Sequence, residues 1–249
     1  HWVEDETLVQ RVRRIKSPAE HERCREAGEI ATRALDLLME GLVGGVSEAE
    51  AVAEAIREIR RSGGVCQMIP VAHGQHISRW ATDPFTGAGT TIPQQGDLVR
   101  GWLDSIIFQG YWLDPGRTAV AGGKPSADQK ALIENCVAIV DGVIDAIRPG
   151  ANVHEVALLG DRLSKQFQVG DSQMNDQWPL YGHGTGLYWE HPYIGVKMSD
   201  PSDHFDAGMV LGIEAFLHID GVGTAAHEQN LIVHADRNEI ITHSPIYWW

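Results

Sequence analysis

The chain has 249 residues, of which 43% are hydrophobic and 22% are charged, and these fractions exclude a disordered or fibrous protein. Its 20 Lys and Arg residues against 34 Asp and Glu residues give a formal net charge of −14. An acidic chain without a basic stripe is a poor partner for nucleic acid or for an anionic membrane surface. The length is ample for one large domain or two small ones.

Cysteine usage and apolar patterning bear on the compartment. No apolar run approaches the roughly 18 residues of a membrane-spanning helix, and we expect neither a membrane span nor a signal peptide. The three cysteines, Cys24, Cys66 and Cys136, are widely spaced and form no CxxC motif. This pattern predicts reduced, buried thiols in a cytoplasmic protein.

Four capping signals predict helix starts, because in each of them a Ser or Asn is followed three residues later by Glu or Gln. The four segments are Ser17-Pro18-Ala19-Glu20, Ser47-Glu48-Ala49-Glu50, Ser126-Ala127-Asp128-Gln129 and Asn152-Val153-His154-Glu155. They come in pairs, and Gly45 and Gly150, which precede the second start of each pair, are 150 − 45 = 105 residues apart. We interpret this offset as an internal duplication of an α-α-β-β unit.

Apolar and alternating runs predict strands after each helical pair. These runs cover residues 66–72, 98–107, 108–113, 187–194, 209–219, 224–234 and 239–241. Residues 82–95, rich in Pro, Gly and Thr, are predicted to form a long surface loop that contacts substrate. The predicted fold class is α+β, with helices on one side of a mostly antiparallel sheet. No linker divides the chain, so residues 1–249 are expected to form a single catalytic domain.

Acidic side chains and one histidine lie in or beside these predicted strands. They are Asp104, Asp114, His183, Glu214 and Glu228. Burying several carboxylates is costly unless they are paired or bound to metal, and a divalent cation neutralises several at once. The alternative is ordinary salt bridging, for which Arg117 is the only base close in sequence. An oxygen-rich set with one imidazole suits Mn, Fe, Co or Zn.

The order of these residues resembles the pita-bread family of methionine aminopeptidase, Xaa-Pro aminopeptidase, prolidase and creatinase. The resemblance rests on residues 14–20, 96–99, 110–114, 182–186, 208–214 and 227–228 taken together, and it covers nearly the whole chain. It implies duplicated α-α-β-β halves with a curved, mostly antiparallel sheet. Many creatinase-like relatives carry a separate N-terminal domain, which is absent from this sequence or was removed before His1.

The resemblance also implies a metal site with one or two divalent ions. Asp114, His183, Glu214 and Glu228 match the family's ligands, and Asp114 and Glu228 would bridge two ions. Asp104 is a candidate either for a further ligand or for an acid that contacts the ligands.

Two departures concern the site directly. Counted from the Gly-Asp pair at residues 96–97, the family's first ligand position is Trp102 here, whereas Asp104 lies two residues later on the same face of the strand. A two-ion site is therefore in question, while a one-ion site is not. The peptidases carry a histidine seven residues after the ligand histidine, and that position is Glu190 here, followed by His191.

The remaining site predictions concern catalysis and substrate. The candidate catalytic residues are His73, His76, Glu190 and His191, and the candidate substrate-binding residues are Trp80 and Trp102. The first two histidines lie near the substrate-side histidine that precedes the Gly-Asp strand in the peptidases. A tryptophan at the rim of an acidic site suits a cationic substrate through its ring face.

We interpret the chain as a metal-dependent hydrolase resembling Xaa-Pro aminopeptidase or prolidase, which cleaves a short peptide or an amino-acid amide with a metal-activated water. Glu214 or Glu190 would carry the proton, and a histidine would stabilise the developing charge. Two alternatives stay open. One is a non-peptidase pita-bread enzyme, either a creatinase-like hydrolase or a dimethylsulfoniopropionate-type lyase, acting on a small zwitterion. The other is an inactive module that binds peptide or protein. The aromatic residues 247–249 are typical of an interface and predict a homodimer.

Overall fold

A computed structural model describes residues 8–249, except for the side chains of Gln173 and Asn175. The helices in this part of the chain are α1 (Leu8–Arg14), α2 (Pro18–Gly44), α3 (Glu48–Arg61), α4 (Ala127–Ala146), α5 (Val153–Phe167) and α6 (Gln173–Gln177). A short 3-10 helix covers Gly74–His76. Within residues 8–249, no helix is both long enough and apolar enough to cross a lipid bilayer.

The strands form two sheets. They are β1 (Val65–Met68), β2 (Val71–His73), β3 (Leu98–Trp102), β4 (Asp104–Phe108), β5 (Tyr111–Leu113), β6 (Gly116–Val120), β7 (His183–Gly184), β8 (Glu190–Tyr193), β9 (Val210–Ile219), β10 (Gly223–Val233) and β11 (Asn238–Ile240). The small sheet has the order β1-β4-β5. The large sheet has the order β2-β3-β6-β10-β9-β7-β8, and β11 pairs with β10. All of these pairings are antiparallel, as expected for the α+β class.

The helix starts follow the capping signals in the sequence. At Ser17, Ser47 and Ser126 the side chain and the residue three positions later form reciprocal capping hydrogen bonds. Asn152 caps α5 with the first of these two bonds only. Gly45 and Gly150, the equivalent turn residues of the two pairs, have positive φ angles of 85° and 83°. The helical hairpins are therefore built alike at corresponding positions, as the duplication predicts.

Two apolar cores hold the large sheet from its helical side. One core joins α2 and α3 to β3 and β6 and includes Leu38 and Val99. The second joins α4 and α5 to β9 and β10 and includes Val140 and Leu211. Each fully buried side chain of this kind contributes about 1.5–3 kcal/mol. The strands β3, β6, β9 and β10 are thus fixed by packing.

The pairing register aligns the centre of the large sheet. Trp102 pairs with Gly116, Gly116 with Glu228, and Glu228 with Glu214, so one row of residues crosses β3, β6, β10 and β9. Directly opposed residues of antiparallel strands project to the same face. A Cβ atom at Gly116 would lie 2.0 Å from the ring of Trp102, so only glycine leaves room for that ring beside β6.

Several predicted strands differ from those observed, and β6 and β7 were not predicted. Residues 98–107 divide at Leu103 into β3 and β4, which belong to different sheets, and the return predicted at 108–113 is a strand only at Tyr111–Leu113. Residues 66–72 divide into β1 and β2, which belong to different sheets, because Pro70 between them has no N–H to continue a ladder. Of residues 187–194 only Glu190–Tyr193 is a strand, and residues 187–189 form a bend that brings Trp189 to the site described below. Residues 82–95 contain neither helix nor strand, as expected.

The cysteines are free thiols in this structure. Cys24 and Cys136 are buried, as the sequence predicts, whereas Cys66 is only half-buried.

Candidate metal centre

A cavity of about 280 Å³ opens at the row of residues that crosses the large sheet. Its lining comprises the acids Asp104, Asp114, Glu214 and Glu228 together with His183, four tryptophans, Met174 and Gln177. All five residues predicted as metal ligands therefore line one cavity. The two predicted substrate-binding residues, Trp80 and Trp102, line it as well.

Three of the lining residues converge most closely. Asp114, His183 and Glu228 each offer one ligand atom, and these atoms all lie within 4.8 Å of one another. Asp114 stands two residues before β6, His183 begins β7 and Glu228 lies in the middle of β10, so three separate segments supply them. All three side chains are buried. A carboxylate oxygen pair and an imidazole nitrogen at such distances match a divalent transition metal.

The imidazole of His183 is oriented with one nitrogen toward the acids. Its Nδ1 lies 3.0 Å from the carbonyl oxygen of Gly184, to which an N–H at that position donates. Its Nε2 then faces the carboxylates, at 3.1 Å from Asp114 Oδ2 and 3.8 Å from Glu214 Oε1. A histidine held in this way through one ring nitrogen presents the lone pair of the other, which is the arrangement of metal-binding histidines.

Neutral N–H donors surround the acids. Asn230 Nδ2 donates to Asp114 Oδ1 at 2.9 Å and lies 3.5 Å from Glu228 Oε1. The indole Nε1 of Trp178 donates to Glu214 Oε1 at 2.8 Å, and that of Trp189 donates to Asp114 Oδ2 at 3.4 Å. These bonds orient the carboxylates without neutralising their charge.

No described Lys or Arg side chain forms an ion pair with Asp114, Glu214 or Glu228. Arg117, the base that the sequence places nearby, is fully buried, but its guanidinium donates to the carbonyl oxygens of Gly116, Glu228 and Ser244 and to the side chain of Gln229. Glu228 Oε2 is buried and has no hydrogen-bond partner among the described residues. These acids therefore form no salt bridge with a described Lys or Arg, and the donor set, with His183 as its one imidazole, fits a divalent cation.

Burial and mutual repulsion shift the pKa values of the acids and of His183. Burial raises the pKa of Glu228 well above its usual range, and the charges of Asp114 and Glu214 raise it further. Burial likewise raises the pKa of Glu214 to about 7, against the opposing effect of His183. Burial lowers the pKa of His183, but the charge of Asp114 outweighs this and the net result is about 9.

Asp104 and Trp102 occupy adjoining parts of the cavity wall. Asp104 is half-buried, and both burial and the charge of Asp114 raise its pKa. Its Oδ1 accepts a hydrogen bond from Ser105 Oγ at 3.2 Å. Trp102 is 2% exposed and stacks on Phe216, with ring centroids 5.5 Å apart. The position that the resemblance gives to the first ligand thus contributes an indole to the cavity. Asp104 does not share a strand face with Trp102, as the sequence predicted, because Trp102 ends β3 and Asp104 begins β4 of the small sheet.

Glu190 and His191 lie elsewhere. Glu190 is fully buried and does not line the cavity; its carboxylate forms ion pairs with Lys16 and, at 2.5 Å, with Arg13 Nε. Because Glu190 lies outside the cavity and pairs with two cations, it is not placed to reach a substrate there, and the geometry gives no support to its predicted catalytic role. His191 is exposed and contacts the ring of Tyr193, with centroids 4.7 Å apart.

His73 and His76 border a separate pocket beside Thr91 and Asp97. His73 is buried and its Nδ1 lies 2.6 Å from Glu48 Oε1, so its imidazole connects β2 to the start of α3. Neither histidine lines the cavity that holds the acids. Their catalytic roles stay predictions, which the geometry of that cavity does not support.

Sequence reasoning missed the residues that orient the ligands. Asn230 is two residues after Glu228 and shares its face of β10, so the period-2 alternation of a strand could have identified it. Trp178 and Trp189 come from α6 and its following residues and from the bend before β8, and they carry no comparable signal.

Comparisons with known proteins agree with this geometry. A model of the metallopeptidase family M24 matches residues 22–235. An uncharacterized peptidase of Staphylococcus haemolyticus is 29% identical over 247 residues, covering 98% of this chain and 66% of the relative. An uncharacterized peptidase of Staphylococcus aureus is 27% identical over 239 residues, covering 94% of this chain and 64% of the relative. The chain thus spans about two thirds of the length of these curated relatives.

Solved structures show the same fold. The Xaa-Pro dipeptidase from Bacillus anthracis superimposes with a TM-score of 0.81 at 26% identity, covering 97% of this chain and 65% of that one. The prolidase from Pyrococcus furiosus superimposes with a TM-score of 0.82 at 22% identity, covering 96% of this chain and 68% of that one. The pita-bread fold predicted from the sequence is confirmed. The chain belongs to the metallopeptidase family M24.

Proposed function

We propose that this chain is a divalent-metal-dependent peptidase that cleaves short peptides at the cavity described above. The observation that carries the proposal is the convergence of Asp114, His183 and Glu228 in a buried cluster whose acids pair with no described Lys or Arg. Buried carboxylates that repel one another are costly unless something neutralises them. Glu214, 3.8 Å from His183, completes a four-ligand set.

We assign the chemistry to the residues that line the cavity. A bound divalent ion supplies Lewis-acid polarisation of the scissile carbonyl and makes a water molecule more acidic. The chain itself orients the ligand atoms through Asn230, Trp178 and Gly184. With Glu190 neutralised by its ion pairs, Glu214 is the candidate that receives and returns the proton.

The number of ions proposed is one. Because Trp102 occupies the position of the family's first ligand, the residues that meet closely are those of a single site. Asp104 stands farther along the cavity wall, and we propose for it a role next to the substrate. Two ions per chain, which the family resemblance allows, would contradict this assignment.

The substrate class proposed is the Xaa-Pro dipeptide or a similar short peptide. It is supported by the similarity to the Xaa-Pro dipeptidase from Bacillus anthracis. The cytoplasmic location and the homodimer inferred from the sequence remain predictions.

The test is metal content together with peptide cleavage. We expect the parent, after removal of metal by a chelator and incubation with excess Mn²⁺ followed by dialysis, to retain about one ion per chain and to hydrolyse Xaa-Pro dipeptides with Mn²⁺ or Co²⁺. Asp114→Asn is expected to retain little metal and to lose activity by a factor of about 10³ or more. Asp141→Asn, which changes an exposed acid of α4, is the matched control.

Two results would contradict the proposal. A parent that retains no stoichiometric metal contradicts the metal site and favours an inactive binding module. A parent that holds metal but cleaves no peptide with Mn²⁺, Co²⁺ or Zn²⁺ contradicts the peptidase activity and favours an enzyme of this fold that acts on a small zwitterion.

A further inference from the structure

The strand β10 changes its neighbour along one edge at the position of Glu228. Toward β9 it is paired continuously from Gly223 to Ile232. On its other edge it pairs with β6 where Glu228 lies opposite Gly116, and with β11 from Leu231 onward. The backbone around Glu228 therefore has a regular ladder on one side and a junction between two strands on the other.

One guanidinium group lies at this junction. Arg117 follows Gly116 in β6, so its side chain projects to the helical face of the sheet, away from the cavity. Its Nη1 donates to the carbonyl oxygen of Glu228 at 2.5 Å and to that of Gly116 at 2.9 Å. Both acceptors belong to the pair of residues that joins β6 to β10. Arg117 therefore fixes the backbone of Glu228 relative to β6.

The same side chain connects this position to the C-terminal segment. Its Nη2 donates to Gln229 Oε1 at 2.9 Å and to the carbonyl oxygen of Ser244 at 3.3 Å. Its Nε donates to the carbonyl oxygen of Pro245 at 3.2 Å. The five N–H groups of the guanidinium thus have five acceptors, and all five are neutral oxygens. A lysine has three donors and no planar fork, so it cannot make this set of bonds.

The burial of Arg117 is costly unless its bonds serve a purpose besides packing. The side chain is fully buried, and burial lowers its pKa to about 10. An apolar side chain of similar volume often stabilises a fold as well as a buried charge does. An apolar side chain could not, however, join β6, β10 and the C-terminal segment by directed bonds at the position of a metal ligand.

We propose that Arg117 is a positioning residue of the metal site, which holds Glu228 and Asp114 at the separation that one ion requires. The assignment rests on the proposed function for the presence of that ion. Gly116 stands two residues after Asp114, so a side chain that fixes Gly116 to Glu228 also sets the distance between the two carboxylates. Arg117 acts from the face of the sheet opposite the cavity and does not line it.

A positioning role and a purely electrostatic role predict opposite changes in metal affinity. Removing a positive charge near the site strengthens the attraction for a divalent cation, so charge alone would make Mn²⁺ bind more tightly to Arg117→Gln. Loss of position separates the ligand oxygens, and we expect Mn²⁺ to bind more weakly by a factor of about 10–100, the range typical of groups that orient ligands. Arg117→Lys keeps the charge but not the bonds, and is expected to weaken binding by about tenfold.

Arg100→Gln is the matched control for burial and folding. Arg100 lies in the neighbouring strand β3, is equally buried, and donates to the carbonyl oxygens of Ile77, Arg79 and Trp80. None of these acceptors belongs to a residue of the metal site or to the strand of one. We therefore expect Arg100→Gln to destabilise the fold, as Arg117→Gln does, but to leave Mn²⁺ affinity unchanged.

Three measurements on chelator-treated proteins test the assignment. Calorimetry gives the affinity for added Mn²⁺, the visible absorption spectrum after addition of Co²⁺ reports the ligand geometry, and denaturant unfolding gives the stability. We expect both Arg117 variants to change the Co²⁺ spectrum and Arg100→Gln to leave it as in the parent. If Arg117→Gln does not fold, Arg117→Lys decides.

The outcomes separate this assignment from the proposed function. Unchanged or tighter Mn²⁺ binding in the Arg117 variants, or an equal weakening in Arg100→Gln, would overturn the assignment and leave the metal site in place. A parent that binds Mn²⁺ but cleaves no peptide contradicts the peptidase activity alone, because the assignment is read from metal binding. A parent that binds no Mn²⁺ would overturn both.

Discussion

Two buried clusters of charged side chains, one around Glu190 and one around Glu228, differ in what surrounds the carboxylate. Glu190 is fully buried, and the buried Lys16 and the nearby Arg13 neutralise it. Glu228 is just as deeply buried, but its neighbours are Asp114 and Glu214, and its Oε2 has no partner among the described residues. The two clusters lie on the same large sheet, in β8 and β10. Burial alone therefore does not distinguish a structural acid from a metal ligand.

The surroundings of each carboxylate make the distinction. The ion pairs of Glu190 connect its strand to Lys16 and Arg13 in the segment around α1. These ion pairs are therefore structural contacts. The cluster around Glu228 brings together side chains from β7, β9, β10 and the segment just before β6. Its acids repel one another, which destabilises the sheet unless a cation neutralises them. A buried acid whose only neighbours are other acids and neutral donors is a site for an external cation.

The most direct test of this difference is to remove one carboxylate from each cluster. Glu190→Gln is expected to cost about 3–5 kcal/mol of unfolding free energy, because Lys16 would be left buried without its partner. Glu228→Gln is expected to leave the metal-free protein as stable as the parent or more stable, because an amide has no charge to lose when it is buried beside Asp114 and Glu214. The same change is expected to abolish Mn²⁺ retention. Denaturant unfolding of the chelator-treated proteins and metal analysis measure the two effects.

The control for the first change is the double variant Glu190→Gln with Lys16→Met, in which the more deeply buried of the two cations is removed together with the anion, while Arg13 keeps partial contact with solvent. We expect it to recover most of the lost stability, because an apolar pair of similar volume often replaces a buried ion pair at no cost. If Glu228→Gln destabilised the metal-free protein as strongly as Glu190→Gln does, the distinction between the two clusters would be wrong.

Much of the fold could be predicted from the sequence, because helix caps and apolar runs are local signals. The three Ser capping boxes begin α2, α3 and α4 at the expected residues. The long apolar runs became β9 and β10 with shifts of one residue. The sequence did not predict that residues 66–72 and residues 98–107 each divide between the two sheets, because strand partners in a sheet are set by non-local packing.

The sequence predicted the site residues that follow a strand pattern, but it did not predict those that loops supply. Glu214 and Glu228 lie opposite each other because β9 and β10 pair in register, and their apolar neighbours signal burial. Glu190 gave the same signal, an acid beside strand residues, yet its partners Lys16 and Arg13 are more than 170 positions away in the chain. Sequence spacing cannot reveal a partner at such a distance.

The comparison also predicts how stability depends on pH. The pKa of Glu214 in the folded, metal-free protein is about 7, above its ordinary value of 4.5, because burial disfavours its charged form. The native state therefore binds more protons than the unfolded state between these values, and stability falls as pH rises from 4.5 to 7. The expected loss is up to about 3 kcal/mol, at about 1.4 kcal/mol per pKa unit. Calorimetry of the chelator-treated protein between pH 5 and pH 7 measures it.

Two matched experiments test whether Glu214 causes the pH dependence of stability. Glu214→Gln removes the titrating group and is expected to flatten the profile over this interval. Saturating Mn²⁺ is expected to reverse its slope, because the ion competes with protons for the same oxygens and binds better as pH rises. A metal-free parent whose stability increases from pH 5 to pH 7 would show that the cluster is not held protonated by burial.

The smallest expected effect concerns the neutral donors that replace cations around the acids. Trp178→Phe keeps an aromatic ring but removes the N–H that donates to Glu214 Oε1 at 2.8 Å. Because groups that orient ligands typically contribute a factor of 10–100 to metal affinity, we expect Mn²⁺ binding to weaken by about that range. Trp189→Phe removes a longer hydrogen bond to Asp114, at 3.4 Å, and is expected to weaken Mn²⁺ binding less.

Trp112→Phe is the control for both changes. The buried Nε1 of Trp112 has no hydrogen-bond partner among the described residues, so Mn²⁺ affinity should not change. Equal losses in all three variants would mean that the indoles act through packing alone and that their hydrogen bonds do not orient the carboxylates.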